Sequence, residues 1–169
     1  GDTCTIDTRG LTSGEIDHDI AKRMRASIVF SGPLLARFGA TTFPHPGGDV
    51  IGDRPIDFFI EGFEKRGAKV EKTEREYRVT AEGGLKGADI FFRWVSVTGT
   101  ETLMMAAVLA KGTTTLRNVA MEPEVVALAN FLVASGAKIT GIGTPTLTIE
   151  GGEMLRPQAP ERVIPDRIE

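Results

Sequence analysis

The chain repeats itself, and the repeat limits the folds open to it more than any other feature. "LLARFGATTF", residues 34–43, follows the same pattern as "VLAKGTTTL", residues 108–116. In both, a helix-like apolar run ends at a glycine and enters a threonine-rich strand. Further on, "RPIDFFIEGFEKRGAKV" matches "EPEVVALANFLVASGAKI". Each opens on a charged residue and proline, continues as an amphipathic helix, and ends Gly-Ala-Lys before a β-branched residue. The spacings agree: Gly39 lies 73 residues before Gly112, and Gly67 lies 69 before Gly136. Two copies of one supersecondary unit follow, each reading helix, strand, helix, strand, strand, so the fold class is α/β (α+β). The units span approximately 24–92 and 95–152, and the proline-rich 153–169 reads as a connecting segment.

Local signals fill in the units. The helix expected over Ala26–Phe38 accommodates Gly32-Pro33 only with a kink or an irregular N-terminus. The next helix begins at Pro55, where the missing N–H costs nothing. Its Ile56, Phe59, Ile60 and Phe63 recur at helical spacing and turn one stripe toward a core. Gly67 closes it in left-handed geometry. "YRV" after a charged turn predicts the return arm of a hairpin. In the second copy, Glu101–Ala110 is the expected first helix, Pro123–Ser135 the partner of Pro55–Arg66, and "KITGIGTPTLTIEG" a hairpin. Ahead of the first copy, "DTCTIDTRG" alternates like a strand. "SGEIDHDIAKRM" reads as a capped helix or a long connection, with Ser13 as the candidate N-cap and Asp17 in the first turn.

Composition removes several function classes. At 169 residues the chain is one ordinary domain with enough length for a core. Its net charge of −3 argues against a nucleic-acid partner, which would call for a basic surface. A single cysteine, Cys4, excludes an internal disulfide, and two histidines without a carboxylate cluster give no reason to expect a metal or other cofactor. No apolar run approaches the ~20 residues that cross a bilayer, and no signal peptide stands at the start, so the cytoplasm is the expected location and no membrane partner is expected. The ends, Gly1 without a methionine and Glu169 after "VIPDRIE", read as those of a piece of a longer polypeptide.

The longest motifs carry a family resemblance. "RMRASIVFSGPLLARFGATTFPHPGGDVIGDRPIDFFIEGFEKRGAKV", "LKGADI", "VSVTGTETLMMAAVLAKGTT", "EPEVVALANFLVASGAKI" and "VIPDRIE" closely resemble the UDP-N-acetylglucosamine enolpyruvyl transferases, in order and from Thr5 to Glu169. The resemblance implies a two-lobed fold, an inside-out α/β barrel in which each lobe holds three such units with helices inside. Residues 1–169 are then one incomplete lobe, without the family's opening lysine and asparagine or most of the other lobe. Such a piece is not expected to turn over substrate by itself. The implied substrates are phosphoenolpyruvate and UDP-N-acetylglucosamine, in the first committed step of peptidoglycan synthesis.

The same resemblance gives "HPGGDVIGDRP", residues 45–55, a role. Taken alone, Asp49 among glycines is an ordinary turn former. In the family this position belongs to a mobile lid and usually holds cysteine, with aspartate in several members. A protonated carboxyl can deliver a proton to the methylene carbon of phosphoenolpyruvate if its pKa rises above the usual ~3.9. Anionic substrates and a dry site raise it, and Arg54 lowers it. Gly47 and Gly48 supply the backbone freedom for closure. An aspartate there also implies fosfomycin resistance, since that antibiotic alkylates the lid thiolate.

Further site residues follow from the resemblance. Arg25 and Arg54 are assigned to the anionic groups of the substrates. Pro55, Ile56, Asp57 and Phe58 are assigned to the UDP-sugar, and Ser96, Val97, Thr98 and Gly99 form a helix start suited to its diphosphate. Their ordinary readings are a surface arginine beside a helix-starting proline and a solvated helix residue at Arg25. Trp94 reads as a half-buried packing residue, Met104 and Met105 as core filler, and His45 as a solvated loop residue. Two other function classes compete: a lone domain that binds UDP-sugars without catalysis, and a purely structural repeat module. The polar loops at Asp49 and Ser96, at what read as corresponding helix starts of the two copies, argue against the second.

Overall fold

The computed structural model describes residues 4–45 and 56–166. A short helix α1 (His18–Ala21) and a 3-10 segment (Arg25–Phe30) lead into α2 (Ser31–Phe38), β1 (Ala40–Pro44), α3 (Asp57–Glu64), β2 (Lys69–Lys72) and β3 (Glu76–Thr80). Then follow β4 (Asp89–Phe91), α4 (Val97–Ala107), β5 (Thr113–Arg117), α5 (Pro123–Ala134), β6 (Lys138–Thr140) and β7 (Thr146–Glu150). The 3-10 segment and α2 are the irregular helix that Gly32-Pro33 demanded. Pro33 falls in the first turn of α2, where no N–H is missed, and Gly39 ends the helix at φ 72°.

The two sheets are wired alike. In the first, β1 pairs antiparallel with β3 from Ala40↔Thr80 to Pro44↔Glu76, and β2 and β3 form a hairpin. In the second, β5 pairs antiparallel with β7 from Thr113↔Glu150 to Arg117↔Thr146, and β6 and β7 form the hairpin. The second sheet has one more strand, β4, parallel to β5. The first sheet keeps a trace of the same strand. Glu15 bridges Thr42 in parallel, Ile16 N–H donates to Thr42 O at 2.9 Å, and Thr42 N–H donates to Gly14 O at 3.2 Å. Two glycines make the close approach possible: a Cβ on Gly14 would lie 2.0 Å from Ala40 O, and one on Gly87 would lie 2.2 Å from Thr113 O.

The helices lie inside. Strands β3, β5 and β7 alternate, and with β1 they bury Phe43, Tyr77, Val79, Leu116, Leu147 and Ile149 against the helices while Arg78, Arg117 and Glu150 face out. Helix α4 is the axis of the core. The 3-10 segment, α2, α3 and α5 all pack on it, and Thr100, Thr102, Leu103, Met104, Ala106 and Ala107 are buried around its circumference. Its run of small and apolar residues suits a helix with almost no solvent face.

Helix direction is what places the candidate site. Phe58, in the first turn of α3, lies against Gly99 in the first turn of α4. Arg66, just past the end of α3, donates to Leu103 O and Ala106 O in the last turns of α4. The two helices are therefore parallel. Helix α5 begins at the same end, since Ala120 N–H donates to Thr100 Oγ1 at 3.0 Å. Three helix N-termini, with their positive dipole ends, converge on one face.

The structure corrects the sequence reading at several points. Helix α4 begins at Val97 rather than Glu101, because Ser96 Oγ accepts from Gly99 N–H at 3.2 Å and draws "VTGT" into the helix. Helix α1 is capped by Asp17, whose Oδ1 accepts from Ile20 N–H at 2.9 Å, and not by Ser13. Residues 4–12 form no strand; they are exposed, have no sheet partner, and Asp7 is engaged locally by Arg9.

Candidate functional site at the helix starts

The α4 N-terminus is the best-defined part of the site. Ser96 is extended and half-buried, and its two oxygens do different work. Oγ occupies Gly99 N–H, while the carbonyl accepts from Thr100 N–H at 3.0 Å and from Thr100 Oγ1 at 2.7 Å. The remaining first-turn donors, Val97 N–H and Thr98 N–H, have no acceptor within the helix. Thr98 O accepts from Thr102 Oγ1 at 2.6 Å, which holds the turn from the other side. Thr100 was not singled out from the sequence. It joins the α4 cap to the α5 start, and a threonine four residues past an N-cap gives no signal that it does so.

Helix α3 brings its first residues to the same place. Ile56 precedes the helix and is buried, Asp57 is exposed beside the positive helix end, and Phe58 is half-buried. A Cβ on Gly99 would lie 2.1 Å from the Phe58 ring, so the glycine is what lets the ring lie on the α4 start. Phe58 also meets Phe59, Phe92 and Trp94 at centroid distances of 4.2, 6.0 and 6.4 Å. Trp94 is half-exposed and edge-on to Phe58, so it packs on one side and faces solvent on the other. Its packing role agrees with the ordinary reading of the sequence. Met104 is fully buried, as core filler should be, and His45 is exposed.

Arg25 is half-buried at the start of the 3-10 segment, which packs on α4. Asp49, Arg54 and Pro55 lie outside the described residues. The structure thus brings the start of α3 to the start of α4, with Phe58 against Gly99. It also corrects why they meet: Ser96 opens the first helix after β4, whereas the loop with Asp49 leads to the helix after β1. Their helix starts do not correspond in the two units; they are neighbours because α3 and α4 pack in parallel.

The charge around these starts is mixed. Burial, and then the charge of Glu124, push the Glu101 carboxyl above its ordinary range. One cleft, between α3 and β4, runs along Phe58, Glu61, Lys65 and Phe91 and so reaches the start of α3; another runs along Gly136, Lys138 and Gly152 near the helix C-termini. Among the described residues, no three His, Cys, Asp or Glu side chains are grouped to hold a metal ion, and no helix is long and apolar enough to cross a membrane.

Comparison with known proteins decides the family. The family model for EPSP synthase (3-phosphoshikimate 1-carboxyvinyltransferase) matches residues 1–169. The chain belongs to the EPSP synthase family. It is 55% identical over 164 residues to the UDP-N-acetylglucosamine 1-carboxyvinyltransferase of Hydrogenovibrio crunogenus, covering 97% of this chain and 39% of that protein. It is 50% identical over 169 residues to the protein of the same name from Shewanella amazonensis, covering all of this chain and 40% of that one. The chain therefore spans about two fifths of these relatives, and the resemblance drawn from its motifs is borne out.

Solved structures agree on the fold. The enolpyruvyl transferase NikO from Streptomyces tendae superposes with a TM-score of 0.64 at 21% identity, over 80% of this chain and 32% of that one. An EPSP synthase from Acinetobacter baumannii gives 0.61 at 19% identity, over 78% and 30%. The mixed helix-and-sheet architecture is that of enolpyruvyl transferases.

Proposed function

We propose that the full-length protein transfers the enolpyruvyl group of phosphoenolpyruvate to the 3'-hydroxyl of UDP-N-acetylglucosamine and releases phosphate, in the cytoplasm, as the first committed step of peptidoglycan synthesis. Residues 1–169 supply an incomplete lobe of two units, with 153–169 leading toward the second lobe. Strand β4 belongs to the second unit, although the expected bounds 24–92 and 95–152 put it in the first. The observation that carries the reading is identity of 55% and 50%, along the whole chain, to relatives named for that reaction. The EPSP synthase structures, whose acceptor differs, share only 19%.

Each residue then has a chemical task. The Val97 and Thr98 N–H groups and the α4 dipole favour the UDP diphosphate, with Arg25 and Arg54 supplying full charges. Ile56 and Phe58 offer apolar surface to the sugar nucleotide beside Asp57. Asp49, protonated, gives its proton to the methylene carbon while the sugar hydroxyl forms a bond to the adjacent carbon and loses its proton to the carboxylate base that the resemblance places in the other lobe. The bond to phosphate then breaks as the new methyl group loses a proton, and the double bond returns.

The test is phosphate release by the full-length protein offered phosphoenolpyruvate with either acceptor. Turnover is expected with UDP-N-acetylglucosamine; turnover with 3-phosphoshikimate alone would overturn the reading. Charge-assisted hydrogen bonds contribute ~1.5–3 kcal/mol, so Arg25→Ala should weaken UDP-sugar affinity at least about tenfold by calorimetry. Intact-mass measurement after fosfomycin treatment should find no adduct on the wild type and one adduct on Asp49→Cys, because an epoxide needs the more nucleophilic thiolate.

A further inference from the structure

One buried charge is left unused by this chemistry. Arg66 is completely buried, which is rare for arginine unless something holds the charge. Among the described residues its guanidinium donates to three backbone carbonyls: Nη2 to Ala106 O at 2.8 Å, Nη1 to Leu103 O at 3.3 Å and Nε to Lys86 O at 3.3 Å. Lys86 N–H donates back to Arg66 O at 3.0 Å. Burial pushes its pKa down to about 10, which leaves the group charged at neutral pH.

The three carbonyls belong to two elements beyond its own. Leu103 and Ala106 are in the last turns of α4, at the negative end of its dipole. Ala106 O lies beyond the last i→i+4 bond of the helix, from Val108 N–H to Met104 O. Lys86 begins the segment that enters the second sheet, where it bridges Lys111. A planar fork with fixed donor directions therefore pins the end of α3 to the end of α4 and to the link between the sheets.

We propose that Arg66 is a positioning residue that sets how far α3 stands along α4. The helices are parallel and rigid, so a slide at their C-terminal ends carries to their N-terminal ends. There Phe58, in the first turn of α3, rests on Gly99, in the first turn of α4, with no room for a methyl group. Arg66 thus controls the UDP-sugar half of the site from the opposite end of the core. This rests on the function proposed above.

The test uses full-length protein carrying Arg66→Met, which fills the volume without donors, and Arg66→Lys, which keeps the charge without the fork. In folded samples well below their melting temperatures, KM for UDP-N-acetylglucosamine should rise roughly ten- to a hundredfold, the scale of a misplacement near 1 Å. KM for phosphoenolpyruvate should change far less. A purely structural role would lower the melting temperature and the active fraction and leave both KM values alone; that result overturns the proposal. If Arg66→Met does not fold, Arg66→Lys decides, and a wild-type KM in it overturns the proposal equally. A wild-type protein that fails to use UDP-N-acetylglucosamine would remove the proposed function itself, a distinct outcome that takes this inference with it.

Discussion

After β1 the chain takes residues 45–56 to reach its next helix, whereas after β5 it takes only 118–122. The second connection is tightly held. Asn118 adopts φ 58° and donates from Nδ2 to Phe92 O at 2.8 Å, Val119 N–H donates to Pro145 O, and Ala120 N–H reaches Thr100 Oγ1. The first connection holds "PGGDVIGDRP", with Asp49 and Arg54. The same junction, strand into helix start, is a short structural turn in one unit and the bearer of candidate chemistry in the other. On the function proposed above, the proton donor sits on the longer connection, while the helix starts of the scaffold supply the rest of the site.

The largest expected effect breaks that comparison if it fails. Asp49→Asn in the full-length enzyme keeps the side chain's shape and removes its acidic proton, so turnover should fall by roughly 10²–10⁴. The counterpart in the short turn, Asn118→Ala, should leave turnover of the folded enzyme intact. It should instead cost about 2 kcal/mol in denaturant titrations, from a lost hydrogen bond and a left-handed residue without glycine or asparagine. Normal turnover in Asp49→Asn would return that loop to the same structural class as its partner.

The next effect tests the shared scaffold. Gly14→Ala and Gly87→Ala each force a methyl group onto a backbone carbonyl, of Ala40 and Thr113, that cannot swing aside. Each should destabilise by about 3 kcal/mol, the upper end for overpacking. The pair should respond alike although only Gly87 leads into a full strand. A tolerated Gly14→Ala would show that residues 14–16 are not the first unit's counterpart of β4.

Much of this was legible in the sequence and part was not, for identifiable reasons. The glycines at 39, 67 and 136 mark helix ends by backbone conformation, a local property, and all three have positive φ. Gly112, also at positive φ, lies four residues past the Val108 C-cap, because α4 ends at Ala107 rather than at the expected Ala110. Helix α5 was readable because Pro123 opens it and its apolar run is long. The start of α4 was misplaced because Val, Thr and Gly are weak helix formers, and only the Ser96 cap and burial on every side overrule that. The leading parallel strand was missed because Gly14–Ile16 pairs with residues far along the chain. The meeting of Phe58 with Gly99 depends on how two helices pack, which no local pattern encodes, whereas the identity of the site residues came from long motifs.

A finer contrast lies at two threonines in equivalent strand positions. Thr41 and Thr114 are both buried, but Thr41 Oγ1 donates to Gly14 O at 2.8 Å while Thr114 Oγ1 has no partner among the described residues. Thr41→Val should therefore cost about 1 kcal/mol. Thr114→Val, which removes an unsatisfied hydroxyl, should be neutral or stabilising by a similar amount. Equal losses in thermal melts would show that the two sites are satisfied alike.

The smallest effect concerns Glu101, which lies as far before Gly112 as the fully buried Ile28 lies before Gly39. The second unit thus puts a half-buried carboxylate where the first has an apolar side chain. Burial and then Glu124 raise its pKa above the ordinary 4.5. A raised folded-state pKa means that the folded protein binds its proton more tightly than the unfolded chain. Stability is then undiminished below about pH 4.5 and is lost as pH rises through the folded-state value, and the loss persists at neutral pH. Glu101→Gln removes the charge and should raise the melting temperature modestly at pH 7, with solvent screening keeping the gain small. At pH 4 wild type and variant should melt together, both carrying a neutral side chain. A variant less stable than wild type at pH 7 would mean that the carboxylate is held by favourable contacts rather than strained by its neighbours.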